Sequence, residues 1–280
     1  MADDPKWSLQ ELRAVIEKQQ ELVTLILFLL SQGPAELFGE RLESKLERDK
    51  ARAVAATAMG AGQSTNTVLK LSHENGIVVR DMYSVARSVV ESYVNAAFFV
   101  TQPAEVSQRA IRHKDFAAWK HTNRVIGSGD FMIKMGSDED IKSFLEKEFP
   151  EFAAKGQGSW TSLDVPSRIR LVGQFVRAAG GALLGAYGGI YAISSEIIHG
   201  SVFGTAYFYS AHAGDPKTEE GFRRGVLEQR IDILSAVAHA ASGFIAAYAE
   251  TEKFGQLVLT EHELFKRMFR AATGDDWEGE

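Results

Sequence analysis

The sequence predicts an all-α fold, a bundle of long helices. Apolar residues recur at three- and four-residue spacing, the 6 prolines fall at breaks between those stretches, and strands and helices do not alternate. The 280 residues are 45% hydrophobic and 24% charged, which is an ordinary globular composition. We divide the chain into an N-terminal helical arm at 1–52, a helical core domain at 53–272 and a disordered acidic tail at 273–280.

Composition excludes several classes of function. A net charge of -6 argues against binding nucleic acid over the whole surface, although a local basic groove remains open. The absence of cysteine excludes disulfides, thiolate catalysis and Cys-ligated zinc. The first six residues lack the basic region of a signal peptide, so we expect a cytoplasmic protein.

The first half of the chain contains four predicted helices. Ser8 and Glu11 form a capping box that begins the first helix, and Gly33 with Pro34 ends it. The second helix begins with charges at i,i+4 spacing and continues with small residues. An Asn75-Gly76 turn precedes the third helix, and Pro103 separates the third helix from the fourth. The predicted ranges are 8–32, 35–72, 78–100 and 104–126.

The second half contains five more predicted helices. A loop at 127–136 precedes a capping box at Ser137 and Asp140, and a glycine-rich break is expected at 155–159. Pro166 opens the next helix, and an Asp215-Pro216 turn precedes a long one. The apolar stretch 202–209 is either a short strand or a packed loop. The predicted ranges are 137–152, 165–177, 181–199 as the central helix, 218–250 and 260–272.

An uncharged stretch, 178–195, allows two interpretations. Gly181, Gly185 and Gly189 follow at four-residue spacing, which permits close helix contact within a bilayer or within a protein core. The stretch is at the short end of spanning length, and alanine and glycine add little hydrophobicity. We therefore favour a core helix and expect no membrane partner.

The candidate site is a polar cluster on this helix. Tyr191, Ser195 and His199 fall on one helical face, and we expect their partners to be Arg87 and Glu91, one turn apart on another apolar helix. As a catalytic site, His199 would be the general acid or base, Glu91 would fix its tautomer, Arg87 would bind phosphate, Ser195 would orient His199 and Tyr191 would contact substrate. As a structural site, Arg87 and Glu91 would form a buried ion pair that fixes helix register.

The predicted fourth helix is basic and also carries aromatic residues. Arg109 and Arg112, with Phe116 and Trp119 between other basic residues, suit contact with phosphate or RNA. A solvated helix with two aromatics turned inward is the alternative.

Other chemistries are disfavoured. Ser195 lies within a helix without the glycine pattern of a hydrolase nucleophile. A metal at His199, Glu91 and His113 has no supporting ligand spacing, so we predict neither a metal nor any other cofactor.

Two stretches resemble an uncharacterised bacterial helical family known only as a domain of unknown function. The first is a small-residue helix, 58–71, followed by Arg87-x-x-x-Glu91. The second is Tyr191-x-x-x-Ser195-x-x-x-His199-Gly-Ser. The resemblance covers roughly residues 50 to 210. It implies a site without naming a reaction.

A looser resemblance is to HEPN-type helical domains, many of which are metal-independent ribonucleases. His199 stands near a helix end as their motif requires, but the preceding arginine is absent because positions 193–195 are Ile193, Ser194 and Ser195. A HEPN-like core would imply a protein that binds or cleaves RNA in bacterial defence or stress, with Arg87 supplying the missing charge.

A non-catalytic function remains open beside the ribonuclease one. In an interaction or ligand-binding protein the polar cluster is structural, and the glycine stripe with the uncharged segment 233–249 forms internal packing or a dimer interface. In both cases we expect a homo-oligomer, and a protein partner is compatible with the sequence.

Overall fold

Helices dominate the computed structural model, which describes residues 4–74, 78–136, 141–153, 158–210 and 218–279. The all-α prediction is confirmed, with two small antiparallel hairpins added. The elements are α1 (Pro5–Ser31), β1 (Ala35–Leu37), β2 (Glu40–Leu42), α2 (Arg48–Ser72), α3 (Val79–Thr101), α4 (Ala104–Thr122), β3 (Arg124–Ser128), β4 (Phe131–Met135), α5 (Ile141–Glu148), α6 (Pro150–Ala153), α7 (Val165–Phe175), α8 (Arg177–Ile198), α9 (Val202–Ser210), α10 (Glu219–Glu252) and α11 (Gly255–Thr273).

The central helix is α10, so the expectation that the 181–199 helix occupies the centre was wrong. The second half of α10 is buried almost all round because its alanines and glycine let α1, α3, α8 and α11 approach from every side. The approach is close at Gly243, where an added Cβ would lie 2.6 Å from Leu183 Cγ and 3.0 Å from the carbonyl oxygen of Ala179. In α8, by contrast, only one face is buried against other helices.

Two helices are long and apolar enough to cross a membrane by length and composition alone. In their most apolar windows 33% of α8 and 78% of α10 is buried within the protein. Core helices of soluble proteins share these properties, so the finding is weak evidence for a membrane span.

The N-terminal helix starts earlier than predicted. Asp4 is its N-cap and accepts a hydrogen bond from the Lys6 backbone N–H at 3.0 Å, while Pro5 occupies the first turn. Ser8 is a buried residue inside the helix, so the capping box there was wrong. Leu12 and Ile16 of α1 are fully buried in the same apolar cluster as α10.

The first hairpin replaces the beginning of the predicted second helix. Phe38 and Gly39 have φ of 45° and 83°, as a two-residue hairpin turn requires and a helix does not allow. Glu40 then accepts hydrogen bonds from the backbone N–H groups of Gly255 and Gln256 at 3.1 and 2.6 Å. The hairpin therefore caps α11, which begins five residues earlier than predicted.

The second hairpin, β3–β4, replaces the last turn of the predicted fourth helix and the loop at 127–136. Its strand residues are all exposed. Farther on, α5 ends at Glu148 and Pro150 begins α6, so one predicted helix is split into two. The predicted Asn75-Gly76 and Asp215-Pro216 turns and the Ser137 and Asp140 capping box lie outside the described residues, as does most of the break at 155–159.

The chain bends sharply between α7 and α8. Asp164 caps α7 by accepting from the Ser167 N–H at 2.9 Å. Gly173 and Gly180 let the two helices meet, since a Cβ on Gly180 would lie 2.4 Å from Gly173 Cα. After α8 the stretch 202–210 is the helix α9, neither the strand nor the loop that the sequence left open.

Candidate functional site

A line of polar residues crosses the otherwise apolar surface of α3. Arg87, Glu91 and Asn95 follow at four-residue spacing, and all three are partly buried. They face the corner of α7 and α8. The sequence predicted Arg87 and Glu91 as partners of the α8 face, but it missed Asn95.

Arg168 of α7 neutralises Glu91. Its guanidinium lies 3.8 Å from Glu91 Oε1, donates to Asn95 Oδ1, and donates from Nε to the Asp164 carbonyl oxygen at 3.4 Å. Burial lowers the pKa of Arg168, and the carboxylate of Glu91 opposes that shift. Trp160 covers the cation, with its ring centroid 5.4 Å from the Arg168 Cζ.

Arg87 is held by Tyr191 of α8. One terminal nitrogen of Arg87 donates to the Tyr191 hydroxyl at 3.1 Å, and its Cζ lies 4.4 Å from the Tyr191 ring centroid. Tyr187 stacks on Tyr191 with ring centroids 4.4 Å apart. Among the described residues no carboxylate forms an ion pair with Arg87, so the predicted Arg87–Glu91 pair is replaced by Arg168–Glu91.

Ser195 and His199 lie farther along α8. Ser195 is partly buried and His199 is exposed at the C-cap. At 1.5 Å per residue, His199 is about 12 Å from Tyr191 along the helix axis. Within the described ranges no side-chain hydrogen bond or ion pair joins Ser195 or His199 to Arg87 or Glu91.

The Gly-Ser that follows His199 has a clear structural role. Gly200 has φ of 65°, and the backbone N–H groups of Gly200 and Ser201 donate to Ile197 and Glu196, which is a Schellman ending. The Ser201 hydroxyl then accepts from the Gly204 N–H at 3.0 Å and starts α9. The turn thus explains Gly200 and Ser201 but gives the imidazole of His199 no packing role.

The two arginines predicted to bind substrate on α4 hold their own neighbourhood together. Arg109 donates to the carbonyl oxygens of Trp160, Ser159 and Glu151 at 3.1, 3.2 and 3.3 Å. Arg112 pairs with Glu151 Oε1 at 3.2 Å and donates to the Glu148 carbonyl oxygen. These contacts fasten α4 to α5, α6 and the segment before α7, and none of them involves the polar residues of α3 or α8.

Arg168, like Asn95, is a site residue that sequence reasoning missed. It follows Val165 and precedes Ile169 and Val172 on the buried face of α7. A charged residue inside such an apolar stripe must find a buried partner, and that signal was available in the sequence. In the part of the chain that the structure describes, no group of three His, Asp or Glu side chains is placed to hold a metal ion.

Comparison with known proteins gives a family but no characterised relative. No curated protein and no solved structure matches the chain. Residues 53–216 match a family described as a family of unknown function, DUF5677, which agrees with the resemblance expected for roughly residues 50 to 210. Because the match spans more than half of the 280 residues, the protein belongs to this family.

Proposed function

We propose that the protein binds RNA on the face formed by α3 and α8 and cleaves it without a metal ion, in the cytoplasm and in a defence or stress response. The observation that carries the proposal is the state of Arg87. Tyr191 orients its guanidinium, while Arg168 engages Glu91, the nearest carboxylate on the same helix. The positive charge of Arg87 therefore remains available to a phosphate, which guanidinium groups bind bidentately.

His199 is the group we assign to chemistry. Its exposed imidazole can accept a proton from a ribose 2′-hydroxyl. The 2′-oxygen then bonds to the adjacent phosphorus as the bond to the 5′-oxygen breaks, and the leaving oxygen takes a proton from water. The products are a 2′,3′-cyclic phosphate and a 5′-hydroxyl. Since Tyr191 and His199 are about 12 Å apart along α8, we assign Arg87 to a flanking phosphate.

Binding of fluorescently labelled single-stranded RNA, followed by anisotropy at two salt concentrations, tests the anchor. Arg87→Ala is expected to weaken binding by about tenfold and to make it less salt-dependent, since one phosphate contact is lost. His199→Ala should bind like wild type. The matched control is Arg223→Ala, because Arg223 is exposed on α10 and pairs with Glu219. Unchanged affinity of Arg87→Ala, or no binding by wild type, contradicts the proposal.

A second candidate function is a non-catalytic interaction protein that associates with its own copy. The outer face of α8 favours it, because small residues there alternate at three- and four-residue spacing with no charge among them. They are Ala178, Gly181, Gly185, Gly188 and Ala192, of which the first three also border the groove between α8, α10 and α11. Leu184, Ile198 and Phe203 beside this stripe are 57%, 49% and 58% exposed. An α8–α8 contact would cover this surface.

Size-exclusion chromatography with light scattering tests this alternative with Gly188→Leu. A Cβ on Gly188 meets nothing within 4 Å, whereas one on Gly185 would lie 3.2 Å from His239 Cδ2 and disturb internal packing. A dimer that becomes a monomer in Gly188→Leu supports the interface. A monomer in both proteins contradicts it.

A further inference from the structure

A large cavity lies at the other end of α8 from His199. Its volume is about 810 Å³, and α8, α10, α11 and the segment around Trp277 line it. It is open to solvent on one side, where Gly181 and Glu250 are exposed. Sites for small molecules have volumes of about 300–1,000 Å³. The cavity shares no residue with the α3–α8 face, so a ligand bound in it would be independent of the proposed RNA function.

The polar groups of the cavity are mainly hydrogen-bond acceptors. Glu261 is 7% exposed and accepts from the Ser242 hydroxyl. His239 Nδ1 lies 2.8 Å from the Ser235 carbonyl oxygen, so Nδ1 carries the hydrogen and Nε2 is left as an acceptor. Glu250 adds a second carboxyl group.

The charge state of these groups follows from burial. Burial raises the pKa of Glu261 to about 7, although the hydrogen bond from Ser242 opposes the shift. Burial also raises the pKa of Glu250 and lowers the pKa of His239, which favours a neutral imidazole. The other titratable groups of the lining are His262 and Arg177, and Arg177 is exposed, as Glu250 is.

Aromatic rings form one side of the cavity. Trp277 packs edge-on against Phe265 and Phe269, with ring centroids 5.1 and 4.9 Å apart. Arg270 and Asp276, 3.6 Å apart, help to hold this segment against α11. Faces of aromatic rings attract cations.

Glycine on α8 forms the opposite side. A Cβ on Gly181 would meet nothing within 4 Å, so this position opens onto free space in the cavity lining. On Gly185 it would touch His239. The four-residue spacing of these glycines therefore leaves room in the cavity and lets His239 lie against α8.

We propose that this cavity binds a small organic ammonium ion with an apolar body. An ammonium group brings a positive charge and N–H donors, and the acceptors Glu261, Glu250 and His239 Nε2 match both. Its apolar body lies against Phe265, Phe269 and Trp277. An anionic ligand would face two carboxyl groups, and a neutral hydrocarbon would leave the acceptors unpaired.

Calorimetric titration of the full chain at neutral pH with 2-phenylethylamine tests the proposal, with 2-phenylethanol as its neutral counterpart. We expect saturable binding of the amine and an affinity at least about tenfold lower for the alcohol, because only the amine forms charge-assisted hydrogen bonds. Since the bound amine keeps Glu261 ionised, binding should release protons and its heat should depend on the buffer.

Glu261→Gln keeps the shape of the side chain and should lower the affinity for the amine at least about tenfold, without changing that for the alcohol. The dependence of the binding heat on the buffer should decrease in this variant. Gly181→Leu fills the cavity and should abolish binding of both compounds. Glu263→Gln is the matched control on the same helix, because Glu263 is exposed and pairs with Lys266.

Three outcomes overturn the proposal: equal affinity for amine and alcohol, amine binding that Glu261→Gln leaves unchanged, and no saturable binding to folded wild type at millimolar concentration. If Gly181→Leu does not fold, the result for the isosteric Glu261→Gln decides.

Discussion

At the scale of single residues, Glu261 makes the stability of the protein depend on pH. Its pKa is raised to about 7 in the folded state, so the folded chain holds a proton that the unfolded chain releases above its ordinary value of 4.5. The contribution of Glu261 to stability is therefore greatest below that value and falls as pH rises to about 7. Burial also raises the pKa of Glu250 and lowers the pKa of His239, so only a comparison of variants isolates the effect of Glu261.

We predict that Glu261→Gln stabilises the protein at alkaline pH. The variant removes the free-energy cost of ionising Glu261 in the folded state, which is on the order of 3 kcal/mol near pH 8 and approaches zero near pH 4. The weaker hydrogen bond between the introduced amide and Ser242 offsets part of this gain. Urea denaturation at both ends of this range measures the difference. If the free energy of unfolding depends on pH in the same way in the variant and in wild type, the pKa of Glu261 is not raised in the folded state, and the prediction is contradicted.

Some contacts of single residues could be read from the sequence. Arg87 and Tyr191 were predicted as partners, because polar residues on two apolar helices need hydrogen-bond partners. In the structure a terminal nitrogen of Arg87 lies 3.1 Å from the Tyr191 hydroxyl oxygen. The ion pair between Arg168 and Glu91 depends on the angle between α7 and α3, and the sequence does not reveal that angle. Nor does it show that Ser242 of α10 meets Glu261 of α11.

At the scale of elements, the first hairpin stabilises α11. The Glu40 carboxylate satisfies two N–H groups at the start of that helix and lies near the positive end of its dipole. We predict that Glu40→Ala destabilises the protein by about 1 kcal/mol in urea denaturation. Glu43→Ala, which removes an exposed carboxylate paired with Arg41, is the control and should have little effect. Equal effects would contradict this role.

Long elements were predictable and short ones were not. Helices such as α3 and α10 carry many turns of apolar spacing and differ from prediction by a residue or two at the ends. The hairpins have strands of three and five residues, too short for alternation to outweigh the helical charge pattern around Glu40. In the first hairpin, Gly39 was the one residue whose type indicated a turn.

At the scale of the whole molecule, the fold depends on how closely α8 and α10 approach. We predict that Gly243→Ala destabilises the protein by about 1–3 kcal/mol, because the new methyl group would collide with Leu183 and the Ala179 carbonyl oxygen. Gly60→Ala in α2 is the matched control. Its Cβ meets nothing within 4 Å, so it should stabilise by about 0.5–1 kcal/mol. Denaturation in urea measures both, and similar shifts would contradict the close approach.

The all-α class followed from periodicity and proline placement, but the position of each helix in the bundle did not. The glycine-bearing α8, which is uncharged from 178 to 195, and the longer α10 both have the sequence of core helices. The two helices differ in burial. Large apolar residues of α10 such as Ile233 and Phe244 are fully buried, whereas Leu184 on α8 is 57% exposed.

The most direct test of the proposed function is incubation of labelled total RNA with the purified protein in EDTA. We predict that wild type leaves 2′,3′-cyclic phosphate ends, that His199→Ala leaves the RNA intact, and that Arg87→Ala cleaves more slowly. His73→Ala, which removes another exposed histidine at a helix C-cap, should cleave like wild type. Intact RNA with folded wild type, or equal cleavage by His199→Ala, would contradict the ribonuclease and favour a structural role for the polar cluster.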